Sequence, residues 1–207
     1  MINIYNLDCM DSLRASPDNH WDIAIVDPPF GIGNWQSKFR KERQPTKKLN
    51  WNNETPSKEY FLELQRVSKH QIIFGANYFN CFTPRGGAIV WNKRVPEVSN
   101  LSMCEILSCS LQQKVSYVDI LWQNINRKEA IIHPCQKPVA IYIWILQKYA
   151  KPNWKILDTH LGSGSSAIAA DKLGYDFWGY ERDRDYFRAT KDRIKRYKQQ
   201  LKLFGVV

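Results

Sequence analysis

Short apolar runs alternate with amphipathic stretches along the whole chain. Strand-like runs lie at Ile2–Asn6, Asp22–Val26, Gln71–Gly75, Ala88–Asn92, Cys104–Ser110, Val118–Trp122, Lys155–Leu157 and Phe177–Tyr180. Helical spacing fills several of the gaps. Ser57–Lys69 opens with a capping Ser and an early Glu, and carries Tyr60, Phe61, Leu64 and Val67 on one side. Pro138 opens a largely apolar helix through Tyr149, which is predicted to be buried on most sides. Ser165–Leu173 is a short Ala-rich helix, and Asp183–Leu203 a longer one with Phe187, Ile194, Tyr197, Leu201 and Phe204 along one face. Strands alternating with helices predict an α/β fold, a mostly parallel sheet covered on both faces. One segment breaks the pattern. Gly31–Asn53 is polar, basic and rich in Asn, and reads as a long functional loop.

Composition narrows the class. The 207 residues suit one domain, 1–207, with a sizeable core, and eight Trp argue against disorder. The longest apolar run, Val139–Leu146, is too short to span a bilayer, so no membrane partner is expected. Met1–Met10 shows no charged segment leading into a long apolar one, which points away from secretion. Five cysteines, Cys9, Cys81, Cys104, Cys109 and Cys135, lack CxxC spacing. A reduced, cytoplasmic protein without a structural metal is the plain reading. The net charge of +10 fits either a soluble basic surface or a polyanionic partner, and its clustering favours the partner.

The chemistry concentrates in two places. The first is Ala24-Ile25-Val26-Asp27-Pro28-Pro29-Phe30. An apolar strand ends on a carboxylate, two rigid prolines remove amide donors, and a flat ring follows. This order suits a planar group that bears an amino donor, stacked on Phe30 and hydrogen-bonded through Asp27. The second is Lys155–Ala170, KILDTHLGSGSSAIAA. A strand ends at Asp158, a Gly162-Ser163-Gly164 turn follows, and a small-residue helix begins. Such a strand–turn–helix binds nucleotide-like ligands at the carboxyl end of a parallel sheet. The glycines let backbone approach a ligand. It is neither a Walker A loop nor a full G-x-G-x-x-G, so phosphate is not specified. Glu181, 23 positions after Asp158, ends the next strand. It is placed either to accept two ribose hydroxyls or to serve as an ordinary helix-end acid.

Together these segments resemble the beta-order class of S-adenosylmethionine-dependent amino-methyltransferases of DNA, in which the catalytic motif precedes the cofactor motif. Asp27–Phe30 resemble its Asp-Pro-Pro-(Tyr/Phe) motif. His133-Pro134-Cys135-Gln136-Lys137-Pro138 resembles its His-Pro-(Thr)-(Gln/Glu)-Lys-Pro motif, and Asp158–Gly164 its Asp-Pro-Phe-x-Gly-Ser-Gly motif. Asn6-Leu7-Asp8-Cys9 resembles the Gly-Asp-Cys segment that meets the cofactor adenine. The resemblance covers nearly the whole chain. It implies a Rossmann-like methyltransferase fold with circularly permuted motif order, and S-adenosyl-L-methionine as cofactor. It assigns cofactor binding to Asp8, Cys9, Lys137, Asp158, His160, Gly162, Ser163, Gly164 and Glu181, and catalysis to Asp27, Pro28, Pro29 and Phe30. Thr159 and His160 depart from the usual Pro and Phe, Cys135 from Thr, and Asn6 from Gly. Small phage-borne or solitary methyltransferases show a similar variant.

The expected substrate is double-stranded DNA, at N6 of adenine. Asp rather than Ser at position 27 favours adenine within the class. N4 of cytosine, RNA adenine, and a non-catalytic nucleic-acid-binding subunit of the same fold remain as alternatives, and a homodimer is left open. The target base must be flipped out of the duplex, with Phe30 as its platform. Only Gln123–Ile132 separates the last predicted strand before His133 from the His-Pro motif, so no separate large target-recognition domain is expected. Lys38, Arg40, Lys41, Arg43, Lys47 and Lys48 fall within eleven residues, opposed only by Glu42 and flanked by Trp35, Phe39 and Trp51. This loop is expected to hold DNA phosphates rather than serve as solvated surface. The basic run from Arg182 to Lys202 supports a DNA contact and a solvated outer face equally.

Overall fold

The computed structural model describes residues 1–33, 52–82, 84, 86–99, 101–122 and 131–203. In chain order the elements are β1 (Ile2–Tyr5), α1 (Cys9–Ala15), β2 (Trp21–Val26), α2 (Lys58–Val67), β3 (Ser68–Phe74), α3 (Ala76–Phe79), β4 (Ala88–Asn92), β5 (Cys104–Cys109), β6 (Val115–Asp119), α4 (Val139–Tyr149), β7 (Lys155–Asp158), α5 (Ser165–Lys172), β8 (Asp176–Tyr180) and α6 (Arg184–Leu203). The strands form one eight-stranded sheet in the order β1-β8-β7-β2-β3-β5-β4-β6. All its pairings are parallel except the two made by β5, which runs against β3 and β4. The fold is therefore α/β, with a mostly parallel sheet.

The central strand β2 shows why both faces are covered. From Ile23 to Val26 its side chains alternate between two cores with the period of two that a strand imposes, and only Trp21 at its start departs from it. Ile23 and Ile25 join a core with Ile72 and Phe74 of β3, Ile141 and Ile145 of α4, Ala167–Ala170 of α5 and Ile194 of α6. Trp21, Ala24 and Val26 join the other, with Leu13 of α1 and Tyr60, Leu64 and Val67 of α2. The Ala-rich α5 is buried from Ser165 to Ala170, because only small side chains let it lie so close to the sheet and α4.

Several expectations shift. The helix predicted over 57–69 spans Lys58–Val67, and Ser68 already belongs to β3. Ser57 caps it through the Tyr60 amide at 3.3 Å, while Glu59 bridges to Arg14 of α1 rather than closing a capping box. The strand predicted at 118–122 lies at Val115–Asp119, paired in parallel with β4. Two short helices, α1 and α3, were not predicted from the pattern. The first has few turns in which to show a period. The second spans four residues between the left-handed Gly75 and Asn80. The inner face of α6 carries Tyr186, Thr190, Arg193, Ile194 and Tyr197, so two polar residues sit within its predicted apolar stripe. Leu201 and Phe204 of that stripe lie outside the described side chains. No described helix is long and apolar enough to cross a membrane.

Two consequences position the site. The chain turns one way after β7 (to β8) and the other way after β2 (to β3), so the junction of these adjacent strands is a topological switch point, where open α/β sheets bind ligands. The reversed β5 brings its first residues to the same edge as the carboxyl ends of its neighbours.

Candidate active site

Asp27, Pro28, Pro29 and Phe30 follow β2 directly at that edge. The turn is pinned by Asn52, which is 7% exposed. The Phe30 amide donates to Asn52 Oδ1 at 2.9 Å, Asn52 Nδ2 donates to the Gly33 carbonyl at 2.7 Å, and the Gly33 amide donates back to the Asn52 carbonyl at 2.9 Å. Phe30 lies flat against Tyr78 of α3, with centroids 4.8 Å apart and planes 13° from parallel. Gly75 makes room for the ring: its φ is +69°, and a Cβ there would stand 2.4 Å from Phe30 Cε1. The result is a rigid aromatic surface beside a carboxylate.

Asp27 is largely buried and holds the ammonium of Lys137 through Oδ2 at 2.7 Å. Lys137 Nζ is also 3.2 Å from Glu105 Oε1, at the start of β5, and Lys93 Nζ lies 4.0 Å from Glu105 Oε2. Burial pushes the Asp27 carboxyl up to about 6, against the pull of Lys137 and with a push from Glu105. Burial also disfavours charge on Lys137, but Asp27 and Glu105 outweigh it and hold the ammonium protonated well above the usual lysine range. The Lys137 Nζ lies 5.3 Å from the centroid of Phe30 and 5.4 Å from that of Phe74.

The glycine turn sits across the switch point. Asp158 is 1% exposed and accepts from Ser166 Oγ at 2.5 Å and from the His160 amide at 3.0 Å. Burial raises its carboxyl to about 7, with a push from Asp27 and Glu181 and against the hydrogen bonds from Ser166 and the His160 amide. Glu181 ends β8 with both oxygens engaged: Oε2 accepts from the Gly162 amide at 3.0 Å and Oε1 from the Asp183 amide at 2.8 Å. Gly162 is left-handed, at φ +51°, and a Cβ there would meet only the His133 ring, at 3.7 Å. That is ordinary van der Waals contact, with no clash. Gly164 differs. A Cβ on it would stand 2.6 Å from Thr190 Cγ2, so the approach of α6 by itself requires a glycine here. Ser163 is buried, and its carbonyl accepts from Arg193 of α6 at 2.7 Å.

The remaining predicted positions are spread around this turn. Asp8 is exposed and caps α1 by accepting from the Met10 amide at 3.0 Å, and its Oδ2 is 4.0 Å from Arg182. Cys9 is buried beneath it, with its thiol pushed up to about 12 by burial. His160 shares a proton with Thr159 Oγ1 at 2.9 Å, and Thr159 Oγ1 with Tyr60 Oη at 2.6 Å. Burial drops His160 to about 4 and His133 to about 3, so both are neutral near pH 7. Lys137 was expected at the cofactor. Its side chain meets Asp27, and its backbone carbonyl accepts from Ser165 Oγ at 2.6 Å beside the turn. It thus joins the two halves. Lys38, Arg40, Lys41, Arg43, Lys47 and Lys48 lie outside the described residues.

Residues 55–192 match the model of the N6/N4 DNA methylase family. The chain belongs to this family. The type II methyltransferase M.BglII of Bacillus subtilis is 24% identical over 241 residues; the alignment covers 88% of this chain and 66% of that protein. The solved complex of M1.HpyAVI with S-adenosylmethionine has a TM-score of 0.58 at 22% identity, covering 93% of this chain and all of that one. The PvuII DNA methyltransferase, which is cytosine-N4-specific, has a TM-score of 0.65 at 11% identity, covering 96% of this chain and 91% of its own. Both share the fold.

The family uses S-adenosylmethionine, and the residues at the turn fit it. Gly162 turns in the left-handed region, and the buried Glu181 carboxylate just past β8 lies within hydrogen-bond distance of its amide. Asp27 helps to raise the buried Asp158 carboxyl, and a sulfonium cation nearby would relieve that repulsion. Sequence reasoning missed four residues here: Glu105, Asn52, Tyr78 and Arg193. Glu105 left a trace, since a charged residue alternates with Leu107 and Cys109 on a buried face. The other three become visible only when distant segments meet.

Proposed function

We propose that this chain transfers the methyl group of S-adenosylmethionine to N6 of adenine in double-stranded DNA. The observation that carries the reading is the Asp27 carboxylate beside Phe30, with Oδ2 held by Lys137 at 2.7 Å and Oδ1 without a hydrogen bond among the described residues. Oδ1 accepts a proton of the amino group, and the Pro28 carbonyl accepts the other. Both bonds draw the nitrogen lone pair out of conjugation with the ring. Phe30 and the exposed Tyr78 offer the flat surface for a flipped base. The cofactor, when bound, supplies an already activated methyl, so no covalent nucleophile is needed. Positioning and electrostatics carry the rate. Asp27, raised by burial, takes up the released proton late or passes it to water.

Cytosine N4 is the second reading. Its amino group sits on the same kind of ring edge, and the PvuII enzyme of this fold is cytosine-N4-specific. The test is methyl transfer from labelled cofactor to unmethylated genomic DNA, followed by nucleoside digestion and mass spectrometry. N6-methyladenine is the expected product. N4-methylcytosine would replace the adenine assignment, and cofactor binding without transfer would favour a non-catalytic subunit.

A further inference from the structure

Glu105 is a buried carboxylate near the site with one oxygen left without a hydrogen bond among the described residues. Its side chain is 9% exposed, and its Oε1, though 3.2 Å from Lys137 Nζ, has no hydrogen bond. Lys93 is no closer than 4.0 Å to its other oxygen. A buried carboxylate oxygen in this state is unfavourable, and such groups persist where a function needs them. Glu105 reaches this place only because β5 runs antiparallel; a parallel strand would put its first residues at the far edge.

The ammonium between the two carboxylates has three protons. One is on Asp27 Oδ2, one lies toward Glu105, and the third has no acceptor among the described residues. Its 5.3 Å separation from the Phe30 centroid suits the rim of a base stacked about 3.5–4 Å above that ring. Adenine and cytosine share an amidine edge: an amino donor beside a ring-nitrogen acceptor, N6 with N1 or N4 with N3. An adjacent carboxylate and ammonium match that edge, acceptor to donor and donor to acceptor.

We propose that Glu105 is a positioning residue that holds the Lys137 ammonium for donation to the ring nitrogen beside the methylated amino group, while Asp27 takes the amino group itself. This rests on the amino-methyltransferase reading above. Without Glu105 the ammonium has Asp27 as its nearest carboxylate and competes with the substrate for it. With Glu105 it pivots between two carboxylates and keeps its charge when Asp27 engages the base. The arrangement also accounts for a pocket chemistry that does not by itself separate adenine from cytosine.

The test uses the full chain and Glu105→Gln, which keeps the shape and removes the charge. Single-turnover methyl transfer is measured on saturating unmethylated DNA, with the pH profile, the thermal midpoint and calorimetry against S-adenosylhomocysteine. Transfer should slow by about 10–100-fold, the range for one charge-assisted hydrogen bond. Cofactor affinity and the thermal midpoint should stay near wild type. The acid limb should move to lower pH, because Asp27 loses a like-charged neighbour while Lys137 and Lys93 remain. Glu105→Asp should recover part of the rate. DNA carrying 1-deazaadenine, or 3-deazacytosine if cytosine proves to be the methylated base, lacks the acceptor. It should slow the wild type by a similar factor and Glu105→Gln hardly further. A wild-type rate with an unmoved acid limb overturns the proposal, as do additive penalties or a coupled loss of stability and cofactor affinity. A wild-type chain that binds cofactor but methylates no DNA instead overturns the function on which the proposal rests.

Discussion

Glu181 offers a prediction whose size follows from two hydrogen bonds. Its carboxylate is 9% exposed and receives the Gly162 amide at 3.0 Å and the Asp183 amide at 2.8 Å. If it also accepts the ribose hydroxyls of the cofactor, its removal should act twice. Glu181→Ala leaves two amides without acceptors, at about 1–3 kcal/mol for each one that stays buried. At about 2–4 °C per kcal/mol for a chain of this size, the ligand-free thermal midpoint should fall by several degrees. The lost ribose contact should weaken cofactor binding by about 1.5–3 kcal/mol, or roughly 10–150-fold. Loop loosening alone could mimic the second effect, so Glu181→Gln is the decisive variant. It retains one oxygen for a backbone amide but loses the charge that attracts the hydroxyls. Calorimetry with S-adenosylhomocysteine should show it about tenfold weaker, with a thermal midpoint within a few degrees of wild type. DNA affinity without cofactor should change little. If Glu181→Gln binds cofactor as tightly as wild type while Glu181→Ala melts earlier, the acid serves only the Gly162 turn and the ribose assignment is refuted.

Two further outcomes follow from the site. Asp27→Ala should lose about 10²–10³-fold in methyl transfer, the usual scale for one transition-state contact, yet bind S-adenosylhomocysteine normally. Because burial raises Asp27 to about 6, wild-type transfer should rise as pH increases through about 6, where the carboxyl becomes an acceptor at both oxygens; an acid limb near 4, the unperturbed aspartate range, would show that burial does not control it. Replacing Lys38, Arg40, Lys41 and Arg43 with Ala should flatten the salt dependence of DNA binding by up to roughly 3–4 units of log K per log salt, at about 0.9 per duplex phosphate, and leave cofactor affinity intact. An unchanged slope would make that segment solvated surface and move the DNA contact to α6 or to a second subunit.

The sequence by itself determined the class of fold and the two chemical segments. Hydrophobic periodicity is a local property, and among the described residues it marked seven strands and the four longer helices closely and β6 three residues late. Punctuation by Pro and Gly is local as well, so Asp27–Phe30 and Asp158–Gly164 could be read as strand ends bearing chemistry. What lay beyond it depends on neighbours distant in the chain. The antiparallel direction of β5 has no local signature, yet it alone brings Glu105 to Lys137 and Asp27. That α6 packs Thr190 against Gly164, and so by itself requires a glycine there, is visible only in the fold. Arg193 looked like part of a basic outer face and turned out to be buried, bonded to the Ser163 carbonyl and Ser165 Oγ. Residue type and spacing say which groups a strand end can offer. Only tertiary packing decides which charges share a low-dielectric space, and there a few ångströms set which carboxylates a lysine meets.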